Sequence, residues 1–439
     1  MEISRRNKLK KSVEKTIITL SFMAIVLGGG DWSNAYRFTD ELIASVMGEI
    51  QTERNIKKGT HTDYDENAIE NTELRAKDMD GNLIPTYAET SADFLEHLPF
   101  KRRMVDINGV LAKSLNMRDL YRKNGGNVLK NGYVVGIYPY TSTDYEIQQI
   151  TEFRSYLDKK GIQLLYVNEP TKYINDQVII EDLGRVSYIN DNTDRFLERL
   201  KDNGISYIDL RDDIVEKEMD SFDLFYRTDH HWTAYAGKMA AESIADALNK
   251  NFGYNIDLSI YDDDKFVYKE FKNAWLGEQG KKFGESFVGL DDFELILPEY
   301  DTLFHITKGE DVIEGCFADV LVDQECYLPE NNEDVYSASS WHYSYMGQTG
   351  INGTKIENRL NVEGKRVLVL GDSYEQVTIP YLSLGISEIQ CLVLRNYAGS
   401  VREYIENHEI DTVVIAYASF MIGAHDNETS ANYAMFDFN

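Results

Sequence analysis

The chain has 439 residues, 43% of them hydrophobic, with 29 tyrosines and 19 phenylalanines. That is enough apolar material for a substantial core in one large domain or in two to three average ones. A formal net charge of −29 excludes general nucleic-acid binding, which needs a basic footprint against phosphate, and disfavours loose adhesion to anionic surfaces.

At the N-terminus, Arg5, Arg6, Lys8, Lys10, Lys11 and Lys15 form a basic cluster, followed by the mostly apolar stretch 17–27 and Gly28-Gly29-Gly30. A bilayer span takes ~20 apolar residues, so this shorter run fits the h-region of a secretory signal. Ser33 and Ala35 set small residues where a signal peptidase cleaves. Residues 1–35 are therefore expected to be a cleaved signal peptide or a retained signal anchor, and the body an extracytoplasmic protein of the cell envelope or a secreted one. Residues 36–99 are polar and acidic and read as a stalk.

From about residue 100, helices and strands alternate. Ile150, Phe153 and Leu157 recur at helical spacing over 147–160, Gly161 ends that helix, and 162–167 reads as a strand running into Asn168-Glu169-Pro170-Thr171-Lys172. A helix over 194–200, a strand over 205–210 and an alanine-rich helix over 233–248 follow. Further on come strands at 367–370 and 389–394, a helix at 400–407 and a strand at 412–417. This alternation predicts an α/β fold, with a parallel sheet covered by helices on both faces. Ligands of such sheets gather outside the carboxyl ends of the strands.

Residues 250–360 break the rhythm and are expected to form a long, β-rich insertion within one domain spanning 100–439. Their glycine-punctuated segment 277–284 lacks the strand-before, helix-after context of a phosphate loop. Cys316 and Cys326 have the spacing of a small disulfide loop, and Cys391, inside an apolar run, reads as a buried strand thiol. No CxxC or His/Cys spacing supports a zinc site.

Two segments carry the chemistry: Thr228-Asp229-His230-His231-Trp232 and Gly371-Asp372-Ser373-Tyr374. A serine becomes a nucleophile when a base takes its proton and a third group orients that base. Ser373 follows the strand 367–370, where a turn would present it. His231 suits the base, because an imidazole both accepts and returns a proton near neutral pH. Asp229, two residues earlier, points the same way in an extended segment and suits the orienting carboxylate. His230 competes for the base role. Asp229, His230 and His231 could instead ligate a metal, but adjacent histidines rarely hold one ion and no further ligand is obvious. No metal or cofactor is expected.

Taken together, Thr-Asp-His-His-Trp-Thr before an alanine-rich helix and Gly-Asp-Ser-Tyr after a buried strand resemble the DHHW family. That family lies in the SGNH-hydrolase-like group that includes the alginate O-acetyltransferases. Pro170-Thr171-Lys172, Ile379-Pro380 and Leu394-Arg395-Asn396-Tyr397 sit where the group has similar short motifs, and the Asp-x-His motif precedes the serine, the reverse of ordinary GDSL esterases.

The resemblance implies a flavodoxin-like three-layer α/β sandwich, with Ser373 as nucleophile, His231 as base and Asp229 as orienter. It further implies acetyl transfer to a cell-surface or secreted polysaccharide, with a membrane-bound O-acyltransferase partner supplying the acetyl group. A carbohydrate acetylesterase and an inactive glycan-binding or assembly protein are the alternatives. Arg395, Tyr374, Asn168 and Lys172 are the candidate substrate contacts. Where relatives often carry an aspartate before the arginine motif, this chain has Val393, and the Gly-x-Asn-Asp block of GDSL esterases is missing. The oxyanion side chain is therefore unassigned, with Asn168 and Gln348 as candidates.

Overall fold

Strands buried on both faces carry near-continuous apolar runs, and three segments of this chain do so: Gln163–Glu169, Arg366–Gly371 and Thr412–Ala418 are buried at almost every position. They form the centre of the sheet in the computed structural model, which describes residues 101–118, 126–328, 335–336, 341–346, 350–423 and 431–439. The expected signal segment and stalk, and Gln348, lie outside the described residues. Among the described residues, no helix is long and apolar enough to cross a membrane.

Helix α1 (Lys101–Ser114) precedes the short strands β1 (Asn127–Val128) and β2 (Val134–Val135). There follow α2 (Asp144–Lys160), β3 (Gln163–Glu169), α3 (Gln177–Leu183), α4 (Ile189–Asp202), β4 (Ser206–Asp209), α5 (Leu210–Glu216) and α6 (Ala234–Phe252). The next segment supplies the hairpin β5 (Phe266–Trp275) and β6 (Asp291–Pro298), then β7 (Phe304–Lys308), β8 (Asp311–Gly315) and β9 (Thr354–Asn358). The chain closes with β10 (Arg366–Gly371), α7 (Glu375–Leu382), β11 (Glu388–Leu392), α8 (Val401–Asn407) and β12 (Thr412–Ala418), followed by a short helix.

The large sheet runs β4-β3-β12-β10-β11-β9-β7-β8. Its first five strands are parallel, and β9, β7 and β8 continue it in antiparallel register. The sheet is therefore mixed: strands from the 250–360 segment extend the β11 edge. Antiparallel strands can be added through short turns, such as the one between β7 and β8, whereas each parallel neighbour needs a helical crossover. The outer strand β8 is short and largely exposed, with Asp311 and Glu314 on it, as an edge strand should be.

Two helices place the functional segments. Helix α6 begins immediately after His231-Trp232, with the Thr233 side chain accepting the Ala236 N–H as its N-cap. Helix α7 begins immediately after Ser373-Tyr374 and is buried at every position, so it shows no amphipathic period in the sequence. The two helices touch closely at Gly237, where a Cβ would fall 2.6 Å from the Val377 Cγ1. Only glycine admits this approach, and it brings the two N-terminal ends, with their preceding motifs, side by side.

The disulfide that the spacing of Cys316 and Cys326 allows is not formed. Cys316, Cys326 and Cys391 are free thiols, the first two hydrogen-bonded to Asp319 and Asp323, and Cys391 is buried in β11.

Candidate active site

Ser373 leaves the carboxyl end of β10 on a tight turn stabilised by its own neighbour. The Asp372 carboxylate is fully buried, accepting the Tyr374 N–H at 2.8 Å with one oxygen and the Ala418 N–H of β12 at 2.9 Å with the other. Asp372 thus pins the turn to the adjacent strand. Burial raises its pKa, while these N–H donors and the Arg395 charge oppose the shift.

The Asp229–Trp232 segment is sewn to this turn from both sides. Trp232 Nε1 donates to the Tyr374 carbonyl at 3.1 Å, and the Tyr374 hydroxyl donates to the His230 carbonyl at 2.6 Å. His231 Nε2 consequently lies 2.8 Å from Ser373 Oγ, and its Nδ1 lies 2.6 Å from Asp229 Oδ1. The structure brings Ser373, His231 and Asp229 into one hydrogen-bonded chain and decides between the two histidines. The neighbouring His230 approaches Asp229 only at 3.4 Å, with a side chain 40% exposed.

Asp229 is fully buried, yet its carboxyl is held well below the usual carboxylate range: the His231 hydrogen bond and the nearby imidazoles overcome desolvation. Its second oxygen accepts the Glu278 N–H at 2.8 Å. That donor belongs to the glycine-punctuated segment, which serves here as a buttress. A Cβ at Gly277 would sit 2.5 Å from Asp229 Cβ, and one at Gly280 would sit 2.6 Å from Thr228 Cβ. Gly277 N–H also donates to Thr228 Oγ1 at 2.7 Å. From β6, Asp291 accepts the Arg227 and Thr228 N–H groups at 2.6 and 2.9 Å and the Thr228 hydroxyl as well. The sequence signal for this buttress was the pair of closely spaced glycines, and no periodicity linked them to Asp229.

The candidate substrate contacts separate. Arg395 lies just past β11, half-buried, and its one side-chain hydrogen-bond contact among the described residues is Met421 Sδ at 3.8 Å. Its charge bears on Asp372, His230 and Tyr343. Asn168 is fully buried: its amide donates to Asp209 at 2.8 Å and its oxygen accepts from Ser419 at 3.1 Å, so it joins strand ends and does not face the site. Its place within β3, beside β4, is the reason.

Lys172 is also committed to structure. Its ammonium is buried and donates to the carbonyls of Val134 and Arg227 and to Gln279 Oε1 at 2.6, 3.2 and 3.2 Å, although burial draws its pKa down to about 7. Tyr374 has its hydroxyl engaged with His230. Lys172 and Tyr374 contribute to the walls of a shallow cleft with Tyr138, Tyr173, His230 and Phe420. Asp229, His230 and His231 could offer one ligand atom each within 4.8 Å, but both His231 nitrogens already bond to Asp229 and Ser373.

A serine–histidine–carboxylate chain therefore lies at the carboxyl ends of the parallel strands, an arrangement that can activate a serine hydroxyl. Residues 141–260 match the family described as SGNH hydrolase-like domain, acetyltransferase AlgX. Two solved structures share the fold at low identity. Bacillus cereus PatB1, with a sulfonyl adduct, has a TM-score of 0.55 at 17% identity, over 72% of this chain and 97% of that one. A DHHW family protein from Eubacterium siraeum has a TM-score of 0.52 at 15% identity, over 72% and 95%. No curated protein sequence matches the chain.

Proposed function

We propose that this protein is an extracytoplasmic O-acetyltransferase that moves an acetyl group, through an acyl-enzyme on Ser373, onto hydroxyls of a cell-surface or secreted polysaccharide. The observation that carries the reading is the continuous chain from Ser373 Oγ through both His231 nitrogens to a buried, ionised Asp229. The acetyltransferase family match supports the choice of acyl group.

In the first half-reaction Ser373 Oγ attacks the acetyl carbonyl as His231 Nε2 takes its proton. The donor's oxygen then leaves with that proton, and acetyl-Ser373 remains. In the second half, His231 removes the proton of an acceptor hydroxyl, which attacks the acyl carbon; the bond to Ser373 Oγ breaks and His231 returns that proton to the serine oxygen. Asp229 stabilises the imidazolium in both halves. The Tyr374 N–H is already bonded to Asp372, so the Arg395 guanidinium and the Ser373 N–H are the donors proposed for the oxyanion. A membrane-bound O-acyltransferase is the proposed acetyl source.

Water in place of the sugar hydroxyl would make the same site an acetylesterase. A purely glycan-binding role has less support, because Phe293, Tyr327 and Trp341 of the 250–350 region pack on one another at 5.1–5.5 Å. The full chain is incubated with a chromogenic acetyl ester, with and without oligosaccharide, alongside Ser373→Ala. Ester turnover with an acetyl adduct on Ser373, lost in the variant, is the expected result, and acetylated oligosaccharide separates transfer from hydrolysis. A folded wild type showing neither turnover nor adduct would overturn the reading.

A further inference from the structure

His342 lies outside both motifs, in the turn Trp341–Ser344. Its ring stacks on His231, with centroids 3.7 Å apart and planes inclined by 28°. On the other face His230 lies 3.8 Å away, so His231 is held between two imidazoles. His342 is completely buried, and neither ring nitrogen has a hydrogen-bond partner among the described residues. An unpaired buried polar atom bears the full cost of its lost hydration. An aliphatic side chain would fill the space without that cost, so packing alone does not account for an aromatic ring here.

We infer that His342 is a positioning residue for the acyl-transfer base: its ring face holds His231 in the plane that joins Asp229 to Ser373 and receives the positive charge that His231 gains during turnover. Three observations and one general rule support this. The stacking leaves the His231 edge, where both hydrogen bonds run, unobstructed. Burial, together with the nearby His231 and His230 charges, holds the His342 pKa well below its ordinary value. A neutral aromatic face beside an imidazolium is attractive, whereas a second cation would be repulsive. The His342 ring is itself packed against Tyr226 and Trp275, with centroids at 6.5 and 5.9 Å. The charged and titratable groups around the stack are Asp229 on the histidines' own segment, Asp372 from the serine turn, Arg395, Tyr343 and Tyr374.

The inference rests on the serine acyl-transfer reading, and its test keeps the two apart. The full chain and its His342→Phe, His342→Leu and His342→Ala variants are compared for kcat and KM on the acetyl ester, for the pH profile of kcat, and for the low-field proton resonance of the His231 Nδ1–Asp229 hydrogen bond without substrate. The expected result is roughly thirty-fold lower kcat with little change in KM for Leu and Ala, the scale of one desolvated cation–π contact. In these two variants the acid limb of the profile should move and the resonance should broaden, and Phe should restore both. Should His342→Ala fail to fold, the Phe and Leu variants, of similar bulk, decide the question. Equal behaviour of folded Leu, Phe and wild type in kcat, profile and resonance would overturn the inference. Should the wild type turn over no ester while the resonance still separates Leu from Phe, His342 keeps its positioning role and only the acyl-transfer reading fails.

Discussion

Asp229 concentrates the electrostatics of the site, because a carboxylate without solvent stays ionised only when fixed donors surround it. His231 and Glu278 supply those donors. Asp229→Asn preserves volume but stabilises the wrong imidazole tautomer, so kcat on an acetyl ester should fall about 10³–10⁴-fold while the thermal midpoint changes little. A variant within a few-fold of wild type would remove Asp229 from the mechanism. Arg395 projects a positive charge toward the same turn without an ion-pair partner among the described residues. Arg395→Ala should cost about 10²-fold in kcat if it stabilises the oxyanion. A rise confined to KM would indicate ground-state binding instead. Residue types at Asp229, His231 and Ser373 were legible from their motifs, since strand-end and Asp-x-His spacings are local. The engagement of Asn168 and Lys172 by structural partners was not, because those partners lie 38 to 251 positions away.

At the scale of elements, the site depends on two close approaches that glycine permits. Gly237 lets α6 reach α7, and Gly277 lets the buttress reach Asp229. Gly237→Ala should lower stability by about 1–3 kcal/mol, as overpacking a tight contact does. Gly277→Ala should act differently: its Cβ meets the Thr228 carbonyl and the Asp229 backbone directly, so kcat should drop along with stability. Chemical denaturation and ester kinetics on both variants would distinguish the two effects. Most helices and strands of the α/β body were legible from period and glycine stops, for instance α2 ending at Gly161 in a left-handed conformation. Helix α7 was not, because a segment buried all round and containing Pro380 shows no amphipathic period. The expected helix over 194–200 begins earlier, at Ile189, where Ile189 and Thr193 are buried and Thr193 bonds back to the Ile189 carbonyl.

For the whole molecule, an acidic pair couples the sheet to the serine turn. Glu169 ends β3 and Glu375 opens α7; both are fully buried, and no protein donor bonds any of their four oxygens among the described residues. Without donors each carboxyl favours its protonated form: desolvation raises both pKa values, Glu375 to about 7. The unfolded chain gives up this proton above the ordinary glutamate value, and the folded chain keeps it longer. Stability from the pair is therefore full below about 4.5 and declines as pH rises toward 7. Glu375→Gln keeps a donor without that titration, so the fall in thermal midpoint from pH 5 to pH 8 should be smaller than in wild type. An equal fall in both proteins would show that the pair does not titrate in this window.

The sequence by itself determined the α/β rhythm, the buried central strands and the residue types of the site, because strand burial, helical period and motif spacing are short-range properties. The tertiary structure alone decided that His231 and not His230 meets Ser373, that β7, β8 and β9 make the sheet mixed, and that a glycine loop and His342 enclose the base. Each of these is set by hydrogen bonds and ring contacts between residues far apart in the chain, which no local pattern of the sequence encodes.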